Sequence, residues 1–311
     1  MRFPVSKHTA LHQSVRVEKT RSGVLAAIMA YFLWGVLPIF WKQLGFLPPL
    51  NIVAQRTVWS LLVLLPVVAM IGEWRALVAA LRSLKSAGWL LLSGLMIGSN
   101  WLIYVWATLN HHIIEGALGY YLNPFLNMLF GTLWFGERHN RAQLFAMMLA
   151  MGGVLIQVVG VGHVPWIALA LATTFSLYAV IKKRKPQHTL TGLAGETALL
   201  APIGLLWLIH SSPDVPSAFG NSWPHAALIF SMGVVTVIPL FFFGYAAKTI
   251  RLTTLGILQF IGPTLQFLIG WKIYGEVMSG TRLASFALIW LAIAIYSVDA
   301  IQKRKQMSGT H

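Results

Sequence analysis

Residues 122–137, LNPFLNMLFGTLWFGE, lie over residues 261–276, IGPTLQFLIGWKIYGE, at a constant offset of 139 and without a gap. Six of the sixteen positions are identical: Pro124 meets Pro263, Leu126 Leu265, Leu129 Leu268, Gly131 Gly270, Gly136 Gly275 and Glu137 Glu276. Asn127 meets Gln266, an amide on an amide. An internal repeat of this kind in an apolar chain marks a secondary transporter whose two halves rock about a site between them.

Composition sets the solvent. Hydrophobic residues make up 57% of the 311, charged residues 10%, and the mean hydropathy is +0.71, far from the range of water-soluble domains. A hydrocarbon core about 30 Å thick takes roughly 20 apolar residues per helix. Ten such stretches are expected, at 24–41, 50–71, 88–109, 113–135, 142–160, 164–181, 191–209, 225–246, 252–273 and 283–301. The fold class is therefore an all-α polytopic membrane protein of ten transmembrane helices. It divides into a tail at 1–22, a first five-helix repeat at 23–160, a second at 161–301 and a basic tail at 302–311.

A net charge of +15 suggests a nucleic-acid partner only where the cations share one folded face. Here they alternate by loop. Arg75, Arg82 and Lys85 follow the second span, Arg138 and Arg141 the fourth, Lys182, Lys183, Arg184 and Lys185 the sixth, and Lys248 and Arg251 the eighth. The opposite loops hold little beyond Lys42 and Arg282. The charge reads as topology, with both termini cytoplasmic by the positive-inside rule. Nucleic acid is not an expected partner; the bilayer is.

Five spans per repeat is an odd number, so the second copy enters the membrane from the opposite side and the repeats are inverted. The Gly136-Glu137 turn is then cytoplasmic and the Gly275-Glu276 turn faces outward. There is no cysteine, which excludes disulfides and thiolate ligands. Residues 1–22 are polar and basic and read as a disordered tail, with an interfacial amphipathic helix as the alternative. No stretch is long and polar enough for an ATPase, and no P-loop occurs. Transport would draw on an ion gradient or on the solute's own, with no ATPase subunit and no cofactor implied.

Several motifs, in order, resemble one family. They are Arg56-Thr57-Val58-Trp59-Ser60, Asn110-His111-His112, Gly119-Tyr120 with Asn123-Pro124, Ile261-Gly262-Pro263-Thr264, and the two Gly-Glu turns. Together with the inverted duplication they resemble the RarD branch of the EamA-type drug/metabolite transporter superfamily, over nearly the whole chain from about Glu18 to Lys305. The resemblance implies a ten-helix permease of the bacterial inner membrane, associated in name with chloramphenicol sensitivity. Members of such a fold move amino acids, drugs and other metabolites, so it implies no single substrate.

Polar residues within apolar spans carry the site expectations, because an ionisable group there is costly and usually faces a cavity or a partner. Arg56 lies seven residues into the second span, about 10 Å deep at ~1.5 Å per residue. At an offset of 140, Glu196 of the seventh span falls on Arg56. The expectation is that the two flank a central substrate site, a zwitterion presenting its carboxylate to Arg56 and its ammonium to Glu196. A structural ion pair or snorkelling is the competing reading. Glu115 begins the fourth span, where the helix dipole favours an acid, and is expected to neutralise Arg56. Glu196 and Glu115 are the ion-coupling candidates, with protons as the ion.

Glu115, Gly119, Asn123 and Asn127 follow at i+4 spacing, so this polar face is expected to look into the bundle. Gln259, Pro263 and Gln266 repeat the stripe in the ninth span. Interhelical glue is as good a reading for any single amide. Pro124 and Pro263 each remove a helical hydrogen bond and are expected as hinges. Trp34, Trp59, Tyr104, Tyr120 and Tyr178 are aromatic candidates for the pocket wall. His112 and Glu115 at i,i+3 carry a weak metal spacing, but no catalytic motif accompanies them and no metal is expected. An enzyme is thus disfavoured, and a channel lacks its charged rings. The expectation is a permease exporting a small organic solute by alternating access; an uncoupled facilitator or importer of amino-acid-like metabolites is the alternative.

Overall fold

The computed structural model describes residues 7–185, 189–211, 222–250 and 252–308, and contains no strand among them. The helices are α1 (Lys7–Gln43), α2 (Pro49–Met70), α3 (Trp74–Arg82), α4 (Leu84–Leu109), α5 (Ile113–Phe135), α6 (Arg141–Val161), α7 (Trp166–Arg184), α8 (Thr189–His210), α9 (Trp223–Thr249), α10 (Leu252–Leu258), α11 (Ile261–Leu268) and α12 (Gly280–Ser308). A π-helical turn, Ile269–Ile273, extends α11. With α10, α11 and this turn taken as one crossing and α3 set aside, the bundle has the ten expected spans. Nine of them are long and apolar enough to cross a bilayer among the described residues. The tenth, α5, has the length at 23 residues, but Glu115, Asn123 and Asn127 dilute its apolar content.

Local sequence accounts for the ends. Pro49 opens α2 at a position where the missing N–H costs nothing. Asn140 and Gln143 close a reciprocal capping box on α6. Both duplicated turns stop their helices with a left-handed glycine, Gly136 and Gly275, each at φ 65°.

The most extensive helix contacts run between repeats. Exchanging the two halves carries the α1–α9 contact onto α7–α4, α5–α7 onto α11–α1 and α2–α9 onto α8–α4; it leaves α2–α8, α5–α11 and α6–α12 unchanged. That is the contact pattern of an in-plane pseudo-two-fold axis, so the inverted repeat is a property of the packing as well as of the sequence. On the outside, Met148, Met151 and Leu155 of α6 and Leu291 and Val298 of α12 form the apolar face a lipid solvent requires.

Four expectations change. The tail 1–22 is not a free segment throughout: α1 begins at Lys7, so residues 7–22 continue the first span's helix, and residues 1–6 lie outside the described residues. The basic tail 302–311 is helical to Ser308, with 309–311 outside the description. The polar loop after the second span contains a helix, α3, with Leu77 buried and its other side solvated. The ninth span, expected continuous from 252 to 273, is broken at Gln259 and Phe260. Pro263 is the cause: its ring excludes a bond to the carbonyl four residues back, that of Gln259, which accepts instead from Gly262 N at 3.3 Å.

Candidate functional site

The two ends of the bundle differ. At one end the Glu276 carboxylate is buried and accepts hydrogen bonds from Ile113 N (2.6 Å) and Ile114 N (2.9 Å), the first turn of α5. A carboxylate there satisfies two orphan donors and the positive pole of the helix. The α5 terminus is also seated on Gly270, where an added Cβ would lie 2.9 Å from Ile114 Cγ1 and 3.2 Å from Ile113 Cβ. At the other end the twin residue, Glu137, is half exposed and paired with Lys183 of α7. Among the described residues no helix terminus sits on Gly131, the twin of Gly270; its nearest described neighbour is the Glu137 carboxylate itself. The Glu276 end is closed, and the equivalent contact at the Glu137 end is unmade.

At the Glu137 end a cavity of about 380 Å³ opens between α4 and α7, lined by Lys85, Trp89, Ser93, Lys182 and Lys185 among others. Two of the lining residues, Ser93 and Lys182, contact Glu196, which is fully buried on α8. Glu196 is ion-paired with Lys182, accepts from Ser93 Oγ at 2.7 Å and from Tyr178 OH at 3.3 Å. Tyr178 also lies under Lys182, 5.3 Å from ammonium to ring centroid.

Arg56 occupies the pseudo-equivalent place on α2 toward the closed end. Its Nε donates to Thr236 Oγ1 of α9 at 3.0 Å, the counterpart of the contact between Glu196 and Ser93. The guanidinium stacks on Trp101, 3.9 Å from the ring centroid, with Trp41 at 5.3 Å. Tyr104 and Tyr120 are in electrostatic reach and pack edge to face at 5.5 Å. Tyr120 OH donates to Asn100 Oδ1 at 3.2 Å, fixing its ring against α4.

The structure thus brings Arg56, Tyr104 and Tyr120 into one cluster, and Glu196 with Tyr178 into another. Ser93, which touches Glu196, and Trp101, which touches Arg56, are eight residues apart on α4, about 12 Å at ~1.5 Å per residue. Glu196 already holds Lys182, and the structure does not bring Arg56 and Glu196 into the one expected shared cluster. Glu115 does not neutralise Arg56. It accepts from Ile167 N at 3.1 Å, capping α7, and sits 3.7 Å from His112 Nδ1.

The remaining candidates scatter. Trp59 donates to Gln55 Oε1 at 3.1 Å and packs on Phe230. Gln266 donates to Trp34 O at 3.2 Å, tying α11 to α1, while its own Oε1 and Asn123 Oδ1 are buried without partners among the described residues. Trp34 itself packs against Tyr31 and Phe243. Asn127 is exposed, so the α5 stripe does not face the bundle along its whole length, and Gln259 marks the break in the ninth span. Pro124 lies within an unbroken α5, and Pro263 in the first turn of α11. Lys182, Ser93, Thr236, Trp41 and Trp101 were not legible as site residues. Ser93 and Thr236 look like ordinary small residues, and tryptophans in a membrane chain read first as belt or packing. Asn100, a buried amide in the third span, was the available signal.

The EamA-like transporter family matches residues 21–159. A relative named Protein RarD from Salmonella typhi is 39% identical, over 93% of this chain and 99% of its own length. An uncharacterized transporter from Vibrio cholerae is likewise 39% identical, over 92% of this chain and 95% of its own. One solved crystal structure, 21% identical, covers 90% of this chain and 98% of its own with a TM-score of 0.57, a likeness of fold.

Proposed function

Since this chain belongs to the EamA-like transporter family, we propose that this membrane transporter is a secondary permease of the bacterial inner membrane. It exports small organic solutes, drugs or amino-acid-like metabolites, by alternating access. The observation that carries the reading is the inequality of two pseudo-equivalent ends: Glu276 caps the α5 terminus, whereas Glu137 pairs with Lys183 and caps no helix among the described residues. A two-fold bundle with one end shut has a natural alternative in which the roles exchange. With the basic loops and both termini in the cytoplasm, the shut end faces outward and the cavity at Lys182 and Ser93 faces inward. In the outward-open state Glu137 would leave Lys183 and cap the start of α10, while Glu276 releases α5.

Glu196 is the proposed site of proton exchange. A proton on its carboxylate removes the charge that holds Lys182, freeing the inner cavity wall to move. The second reading, an uncoupled facilitator or importer, is favoured by the same ion pair if Lys182 and Glu196 are simply structural partners.

Purified protein in proteoliposomes tests both. Amino acids, their aromatic derivatives and chloramphenicol are screened for saturable uptake and counterflow, with and without a pH gradient. The proposal expects counterflow, and a Glu196→Gln variant that loses the pH-driven component while exchange persists. Absence of any pH-driven component in the wild type supports the uncoupled reading, its retention in Glu196→Gln contradicts Glu196 as the site of proton exchange, and absence of counterflow for every solute contradicts carriage by alternating access.

A further inference from the structure

Arg56 is 94% buried by accessible area, cannot shed its proton, and has no acid beside it. Of the eight acidic residues, six have described side chains, and each is engaged elsewhere. Glu73 meets Thr191, Glu115 caps α7, Glu137 pairs with Lys183, Glu196 with Lys182, Glu276 caps α5 and Asp299 accepts from Asn140. Thr236 takes only the Nε proton. The two Nη nitrogens bear no hydrogen bond to a described residue. A further donor, Trp41 Nε1, is buried in the same cluster with no partner among the described residues, while the Tyr104 hydroxyl interacts with Thr108 of its own helix. Stacking on Trp101 and Trp41 offsets part of the cost of burying a cation, but it gives none of these donors an acceptor.

We propose that this cluster binds the carboxylate of the transported solute, whose class is small organic monocarboxylates with an aromatic or apolar body. The inference rests on the transporter reading above and adds the substrate's chemistry to it. A single guanidinium matches a single negative charge and offers its Nη edge to two carboxylate oxygens. Lys182 is already paired with Glu196, and the contact residues of the two clusters, Ser93 and Trp101, stand about 12 Å apart along α4, so a phosphate-like dianion at Arg56 gains no second partner there. The walls are planar and apolar, being Trp41, Trp101, Tyr104 and Tyr120, and they suit a flat organic body better than a hydrated inorganic ion. No acid stands beside Arg56 among the described residues, which narrows the amino-acid-like solutes of the proposed function to carboxylates that carry no ammonium.

The test is binding to the purified full chain in lipid nanodiscs, read by tryptophan fluorescence and thermal stability. Phenylacetate is the probe, with phenylacetamide and chloride at equal ionic strength as controls. Phenylacetate should bind about ten- to a hundredfold more tightly than the amide, the range of a hydrogen-bonded charge against its neutral isostere. Arg56→Gln should bring the two ligands level, and Arg56→Lys should recover part of the difference. Tyr104→Phe, which keeps the ring, should weaken the carboxylate severalfold and keeps the test decisive should Arg56→Gln fail to fold. Equal binding of carboxylate and amide, unchanged discrimination in the folded variants, or a chloride effect as large as that of phenylacetate would each overturn the proposal. Carboxylate binding without counterflow would instead uphold this site and count against the transport reading, while counterflow of other solutes without carboxylate binding would do the reverse.

Discussion

The fourth and ninth spans share Pro, Gly, Gly and Glu in register, yet α5 is one helix of 23 residues and its twin is α10, a break, α11 and a π turn. Glu276 at the end of the broken span is buried under a helix terminus; Glu137 at the end of the unbroken one is half exposed beside a lysine. Two related sequences, identical at six of sixteen positions, sit in two environments, and on the proposed reading the surrounding bundle decides which copy is engaged. On the alternating-access reading proposed above, the inequality of the ends belongs to the conformational state.

Substitutions at paired positions sharpen or break that comparison. The largest effect is expected from Glu276→Gln, which leaves two terminal N–H groups of α5 facing a neutral amide. A loss of about 3 kcal/mol of closed-end stability follows, a shift of roughly a hundredfold in the balance of states, read as increased labelling of cysteines introduced at the outer end. Gly270→Ala should oppose the same closure by about 1–3 kcal/mol, because the new Cβ meets Ile113 and Ile114. Gly131→Ala meets only the movable Glu137 carboxylate and should leave this state nearly unchanged. Pro263→Ala restores the donor for the Gln259 carbonyl; it should raise thermal stability and slow counterflow severalfold, while Pro124→Ala, in an already continuous helix, should slow it less. Glu137→Gln is the smallest, within about 1 kcal/mol by thermal melting, since an exposed pair contributes little. Equal effects at the two glutamates would remove the basis for unequal ends.

Much of the fold was legible, because span length, loop charge and the repeat each report a solvent or a symmetry. The break in the ninth span was half legible. Pro263 announced a lost hydrogen bond, but Pro124 announced the same and its helix runs on; which of the two yields depends on what packs against it. The site was less legible. Arg56 and Glu196 stood out because charge is rare in apolar spans, and their pseudo-equivalence is visible in Thr236 and Ser93. Sequence offset gives no distance across a bundle, so it could not reveal the gap between them along α4. Nor could it show that Glu115 turns to α7: a carboxylate at a helix start serves its own terminus or a neighbour's equally well.

The most direct measurement uses the absence of native cysteine. Spin labels at His111 and Val277 report the closed end, and labels at Arg138 and Lys248 the other, with distances taken by double electron–electron resonance in lipid as a counterflow-competent solute is added. The account predicts reciprocal change, the first pair lengthening in the population where the second shortens. Distances that move together, or a single rigid distribution at both ends under turnover, would contradict it.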